Sequence, residues 1–283
     1  AGASLVIERS SECGKAACLN AGVAAAAHEL VVFADARQSF DHKALVHLAR
    51  AFAAPEIGAV GGALEIEGAR RRTVGRALDH YWTTEKMLRR AESEIDSTIG
   101  CTGAIYAIRR RLYTPIPEDT ILDDVLIPMQ IALQGYRVVF QPDAIAFDPQ
   151  PLGGKREQSR KHRTLAGNFQ LLFRYPAWLL PWRNRLVIQL VSHKYSRLST
   201  PLLITLIIAS NAALASTSIW ASLSLSACLA LLAIGAAGLV APRLNESSRI
   251  VFLASSFLFL QIAICRSLFY YLNWACERKT AWR

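Results

Sequence analysis

Apolar runs and polar breaks alternate along the first half of the chain, and their lengths predict helices and strands in turn. Lys15 to Ala27 is Ala-rich and reads as a helix. It feeds Leu30 to Ala34, a β-branched run of the kind that forms a buried parallel strand. Asp41 stands where an N-cap would open the helix Lys43 to Ala53, and Ile57 to Leu64 reads as another strand. Upstream, Leu5 to Glu8 reads as a strand too. Thr73 to Ala91 repeats apolar residues at helical spacing. A Gly/Cys/Thr/Gly turn leads into the strand Ala104 to Ile108, and Asp123 and Asp124 open a helix ending at Leu133. Gly135 stops that helix, and Arg137 to Phe140 is strand again. Such alternation predicts an α/β fold.

The second half follows another pattern. From Leu198 to Pro242 there is no Asp, Glu, Lys or Arg. A bilayer-spanning helix needs about 20 apolar residues, so this stretch has room for two spans turning near Ser216 to Ile219. A third candidate runs from Ile250 to about Trp274, interrupted by Arg266. Between the halves, Asn168 to Leu190 mixes Trp178, Trp182, Arg183 and Arg185, the anchors that favour the interface plane of a membrane. Three regions result: an α/β domain over 1–167, an interfacial amphipathic segment over 168–197, and two or three transmembrane helices over 198–276.

Charge sharpens this picture. The formal net charge is +10, and the basic residues crowd toward the apolar half, in Lys155 to Arg163 and Arg183 to Arg197. That distribution fits a multi-pass protein of the cell membrane, its first domain on the cytoplasmic side over anionic lipid, and argues against nucleic acid as a partner. The six cysteines form no CxxC pair and no zinc-like cluster with His, so neither a disulfide framework nor a zinc site is expected. The chain begins at Ala1 in what reads as mid-sheet sequence, so an N-terminally incomplete domain is expected.

Chemistry concentrates at a few turns. Asp35 closes a strand at its carboxyl end, where α/β sheets bind ligands, although a loop Asp capping the next helix has the same pattern. Asp123 and Asp124 sit at a helix N-terminus. The dipole favours acid there, but one cap needs only one carboxylate. Arg156, Arg160 and Arg163 recur near helical spacing; their guanidinium forks suit a pyrophosphate or an anionic membrane equally.

Taken in order, GKAACLN, VVFADARQ, CTGAIYAIRR, ILDD, GYRVVFQPDAIAFD and RKHRTLAGNFQLL resemble the membrane-bound family 2 glycosyltransferases, the group of cellulose and hyaluronan synthases. The resemblance implies a GT-A-like, Rossmann-like mixed sheet with flanking helices, followed by an interfacial helix and an α-helical transmembrane region. It also implies an inverting hexosyltransferase that moves sugar from a nucleotide donor, a uridine diphosphate sugar by the family's habit, to a carbohydrate or lipid acceptor in exopolysaccharide or envelope glycan synthesis. By this resemblance Asp35 is the first Asp of the DxD motif and holds Mg2+ or Mn2+ against the donor diphosphate. Arg37 stands where the second Asp would be, so either the metal has one protein carboxylate or Arg37 itself meets the donor phosphates. Asp124 is similar to the general base of the TED motif, which reads Leu122, Asp123, Asp124 here. Arg163, with Arg160 beside it, matches the Arg of QxxRW, while that motif's Gln and Trp are absent. Lys15 resembles a donor-side lysine, and Cys101, Thr102, Gly103 and Asp123 the acceptor side. Two other readings are open: a catalytically inactive scaffold or saccharide-binding remnant, and a small transporter. The transporter predicts paired charges within the spans, where Arg266 alone offers one.

Overall fold

A computed structural model describes residues 14–66, 73–148, 154–241 and 243–276. The expected strand Leu5 to Glu8 lies outside these residues. In chain order the elements are α1 (Gly14–Ala25), β1 (Leu30–Ala34), β2 (Ser39–Phe40), α2 (Ala44–Ala51), β3 (Ile57–Ile66), α3 (Thr73–Ile95), β4 (Ile105–Arg109), α4 (Asp123–Leu133), β5 (Arg137–Asp148), α5 (Gly154–Arg174), α6 (Val187–Leu190), α7 (Ser196–Leu214), α8 (Ile219–Val240), α9 (Arg243–Ser247) and α10 (Arg249–Cys276). They divide into two units, one within Ala1–Glu157 and Gln170–Val191, the other within Gln158–Phe169 and Ser192–Glu277.

In the first unit five strands form one sheet in the order β1-β4-β3-β5-β2. Only β3 and β5 run parallel; β1–β4, β3–β4 and β2–β5 are antiparallel. β1 therefore differs from the buried parallel strand its composition suggests. Its one described neighbour, β4, is antiparallel, and of its side chains Phe33 alone is buried while Val32 is 43% exposed. A short apolar run does not encode which strand will lie beside it.

Successive strand residues face opposite sides, and β4 uses both. Ile105 and Ala107 join Leu48 and Phe52 of α2, Val60 and Leu64 of β3, and Ala144 and Ala146 of β5 in one core. On the other face Tyr106 stacks on Phe33 of β1, ring centroids 4.6 Å apart and 15° from parallel. Asn20 ties α1 to the chain after β4. Its Oδ1 accepts from the Tyr113 hydroxyl at 2.7 Å and from Ile116 N–H at 3.0 Å, and its Nδ2 donates to Ile116 O at 2.8 Å. At the far end of β4 the Arg109 guanidinium donates to the carbonyls of Ile57, Phe52 and Ala54 and to Glu29 Oε1.

Asp41 does open α2, though from outside the cap position: its Oδ1 accepts from Lys43 N–H at 2.9 Å and its carbonyl from Ala44 N–H at 2.9 Å. Gly135 ends α4 with φ of +95°, a backbone conformation that glycine adopts without strain. Asn168 to Leu190 is not one helix. α5 ends at Arg174, a short turn over Pro176–Leu179 follows, and α6 begins at Val187. Trp178 is buried there with its ring stacked on Tyr175, and Trp182 is 77% exposed. Pro176 and Pro181 make an unbroken helix unfavourable.

In the second unit, three helices are long and apolar enough to cross a membrane: Val187–Leu214, Ile219–Val240 and Arg249–Ala275, the first of which begins in the first unit. α8 and α10 meet through glycine. A methyl on Gly235 would stand 2.8 Å from Ala254 O, so these backbones approach at small residues, as apolar helices do in lipid.

Candidate active site

Asp35 follows the last residue of β1, and Asp123 and Asp124 form the first turn of α4. The loop 100–103 runs between them, held by a 2.8 Å hydrogen bond from Cys101 N–H to Asp124 O. A methyl placed on Gly103 would lie 3.5 Å from Asp124 Oδ2 and 3.8 Å from Asp35 Oδ2. The two carboxylates thus face one point, on the same lip of the sheet, and glycine leaves the gap between them open. Cys101 is buried within the loop, against Gly61 of β3. Burial pushes its thiol up to about 12, so it acts as a small apolar wall rather than a nucleophile.

Lys15, in the first turn of α1, bridges Asp35 and Asp123. Its Nζ is 3.2 Å from Asp35 Oδ1 and 3.1 Å from Asp123 Oδ2. Burial by itself would lower the ammonium's pKa. The charges of Asp123, Asp35 and Asp124 outweigh it, and the pKa is raised. Asp123 has only 6% of its side chain exposed. Burial and then the charge of Asp124 push it up to about 6, against the opposing pull of Lys15. Capping does not account for the acid pair, because the N-cap of α4 is Leu122 and makes no side-chain cap.

Arg37 does not join this cluster in the structure. It pairs with Asp148 at the end of β5, Nη2 to Oδ2 3.1 Å, and Gln38 Nε2 donates to the same oxygen at 3.4 Å. Thr102 makes an isolated bridge with Ile105, which holds the loop to β4. Arg160 and Arg163 belong to the second unit, where Arg160 is half-buried and Arg163 exposed on α5. Sequence patterns point to neither Asn20, which moors the helix carrying Lys15, nor Tyr106, buried beside the acids, since each is an ordinary residue of an amphipathic helix or a strand.

Among the described residues no three His, Cys, Asp or Glu side chains gather as a ready-made metal cage. The donor set is one lip carboxylate, Asp35, with two further acids around a shared ammonium. That fits a hard divalent cation of the kind that takes one or two carboxylates and completes its shell with substrate phosphates.

A mixed α/β sheet with flanking helices and acids at one lip is the architecture of a GT-A-type glycosyltransferase. The chain belongs to the glycosyltransferase-like family 2, whose profile matches residues 4–175, and it is a glycosyltransferase. Among solved structures it is similar in fold to a mannosyltransferase from Pyrobaculum calidifontis, described in complex with GDP-Man and Mn2+. The TM-score is 0.64 at 24% identity over 94% of this chain and 68% of that one. A search of curated protein sequences found none that matches.

Proposed function

We propose that the protein transfers a sugar from a nucleoside diphosphate donor to a carbohydrate or lipid hydroxyl with inversion, at the cytoplasmic surface of a membrane. The convergence of Asp35 and Asp124 on the open space at Gly103 carries this reading. Asp124 takes the proton of the acceptor hydroxyl as that oxygen attacks the anomeric carbon. The bond from that carbon to the diphosphate breaks on the opposite side, and the electron pair leaves with the nucleoside diphosphate. Asp35 and Lys15 organise the donor phosphates. A divalent ion such as Mg2+ or Mn2+, held by Asp35, would neutralise the leaving diphosphate when bound.

The neighbour's GDP-Man and the family's preference for uridine nucleotides both support a nucleotide-sugar donor. The three long apolar helices, the basic clusters and the exposed Trp182 and Ile188 support a seat in the bilayer, for polysaccharide or envelope glycan synthesis.

The test is Asp124→Asn in the full chain. Turnover of GDP-mannose or UDP-glucose is expected to fall about 10²- to 10⁴-fold, the range of a lost general base, with binding of the matching nucleoside diphosphate and Mn2+ unchanged by calorimetry. Full turnover in this variant would move the base elsewhere.

A further inference from the structure

Tyr106 is fully buried in β4, and among the described residues its hydroxyl has no hydrogen-bond partner. A buried hydroxyl left without a partner is costly, so its presence calls for a reason. Its position supplies one. The strand's alternation turns Ile105 and Ala107 into the α2 core and Tyr106 toward the opposite face, where it stacks on Phe33 and pairs with Gly61 of β3, whose added methyl would stand 3.0 Å from Cys101 Sγ in the loop bonded to Asp124 O. There burial first, and then the charges of Asp123 and Asp124, raise its pKa. Two phenols feel Asp123 in this way. The other, Tyr113, already donates its proton to Asn20 Oδ1 at 2.7 Å. Tyr106 is the uncommitted donor.

Asp123, meanwhile, depends on an ammonium it does not own. Lys15 holds Asp35 and Asp123 at nearly equal distances, and Asp35 is the side on which a donor diphosphate arrives. Phosphate oxygens add negative charge there and draw Lys15 toward them, leaving a buried carboxylate short of its counter-charge.

We propose that Tyr106 is a positioning residue, whose hydroxyl takes up Asp123 when the donor engages Lys15 and so keeps the neighbouring Asp124 aimed at the acceptor. The proposal rests on Asp35 being the donor-phosphate side of the site. Tyr106 touches neither substrate; it acts through Asp123. The stacked Phe33 ring holds the phenol, so it is the Asp123 carboxylate, released by Lys15, that turns to the hydroxyl.

The experiment is Tyr106→Phe in the full chain, assayed for turnover of GDP-mannose and UDP-glucose and for thermal unfolding in detergent. A roughly tenfold fall in kcat is expected, the factor carried by about 1.4 kcal/mol in a rate. Donor KM is expected to hold and Tm to stay or rise, because the phenylalanine removes an unsatisfied buried group. Wild-type kcat in the variant overturns the role. A Tm lower by several degrees, with turnover reduced only as folded protein is lost, makes the hydroxyl structural and overturns it as well. Absence of nucleotide-sugar turnover in the wild-type protein overturns the reading of the site itself, and the role with it.

Discussion

Asp123 shows how one residue's surroundings set its behaviour. Its folded-state pKa of about 6 is higher than the 3.8 of a free carboxyl, because burial and Asp124 disfavour its charge more than Lys15 favours it. The native state therefore binds a proton more readily than the unfolded chain across that window. Stability falls as pH rises from about 4 to about 6 and is flat above, where both states have lost the proton. Asp123→Asn removes the penalty. The variant's Tm, compared with wild type, is expected to gain progressively between pH 4 and 7; an equal difference at both ends would show that Asp123 is not ionised against a cost. Asp35 and Asp124 could be picked out by their place at a strand end and a helix start. The charge balance among them could not, because it depends on a lysine 20 residues before Asp35 and 108 before Asp123 in the chain.

At the scale of elements, β4 joins the two faces of the sheet, and Arg109 pins its end. Four acceptors from three segments converge on one guanidinium, which also lies 5.4 Å from the Phe52 ring centroid. Arg109→Ala leaves buried carbonyls without donors and should lower the stability of the first unit by about 3 kcal/mol or more, read as a fall in the denaturant midpoint of its unfolding. Loss of less than about 1 kcal/mol would mean that water replaces the guanidinium. Most element positions were legible beforehand: β1 and α4 fall on the stretches their patterns mark, since three apolar positions and a stop, or acids then an apolar face, need no partner to be read. The pairing of β1 was not, nor was the way the 168–190 segment, interrupted at Pro176 and Pro181, would pack. The first is decided by another strand, and the second by Trp178 and Asn184 entering the core, where Asn184 Nδ2 donates to Trp178 O at 2.8 Å.

For the whole molecule, the chain divides into an α/β unit that holds Asp35, Asp123 and Asp124 and a helical unit that holds most of the long apolar helices. Within the helical unit polar pairs cross between helices, as from Thr200 to Gln261 and from His162 to Ser267, 2.8 and 3.0 Å. Gly235 supplies the close approach of α8 to α10, so Gly235→Leu should force these helices apart and lower the Tm of the detergent-solubilised protein by several degrees. Unchanged Tm would show that the packing has room to give.

The order of elements, two or three long apolar helices, and the acids at two turn positions are determined by sequence alone, because each follows from local periodicity, length and the chemistry of chain ends. The tertiary structure decided which of those acids meet. Asp35 and Asp124 share the gap at Gly103 and Lys15 joins their surroundings, whereas Arg37, two residues from Asp35, turns away to Asp148. Side-chain partners across a sheet are set by strand order and register, and a single chain's pattern encodes those only through contacts that form when it folds.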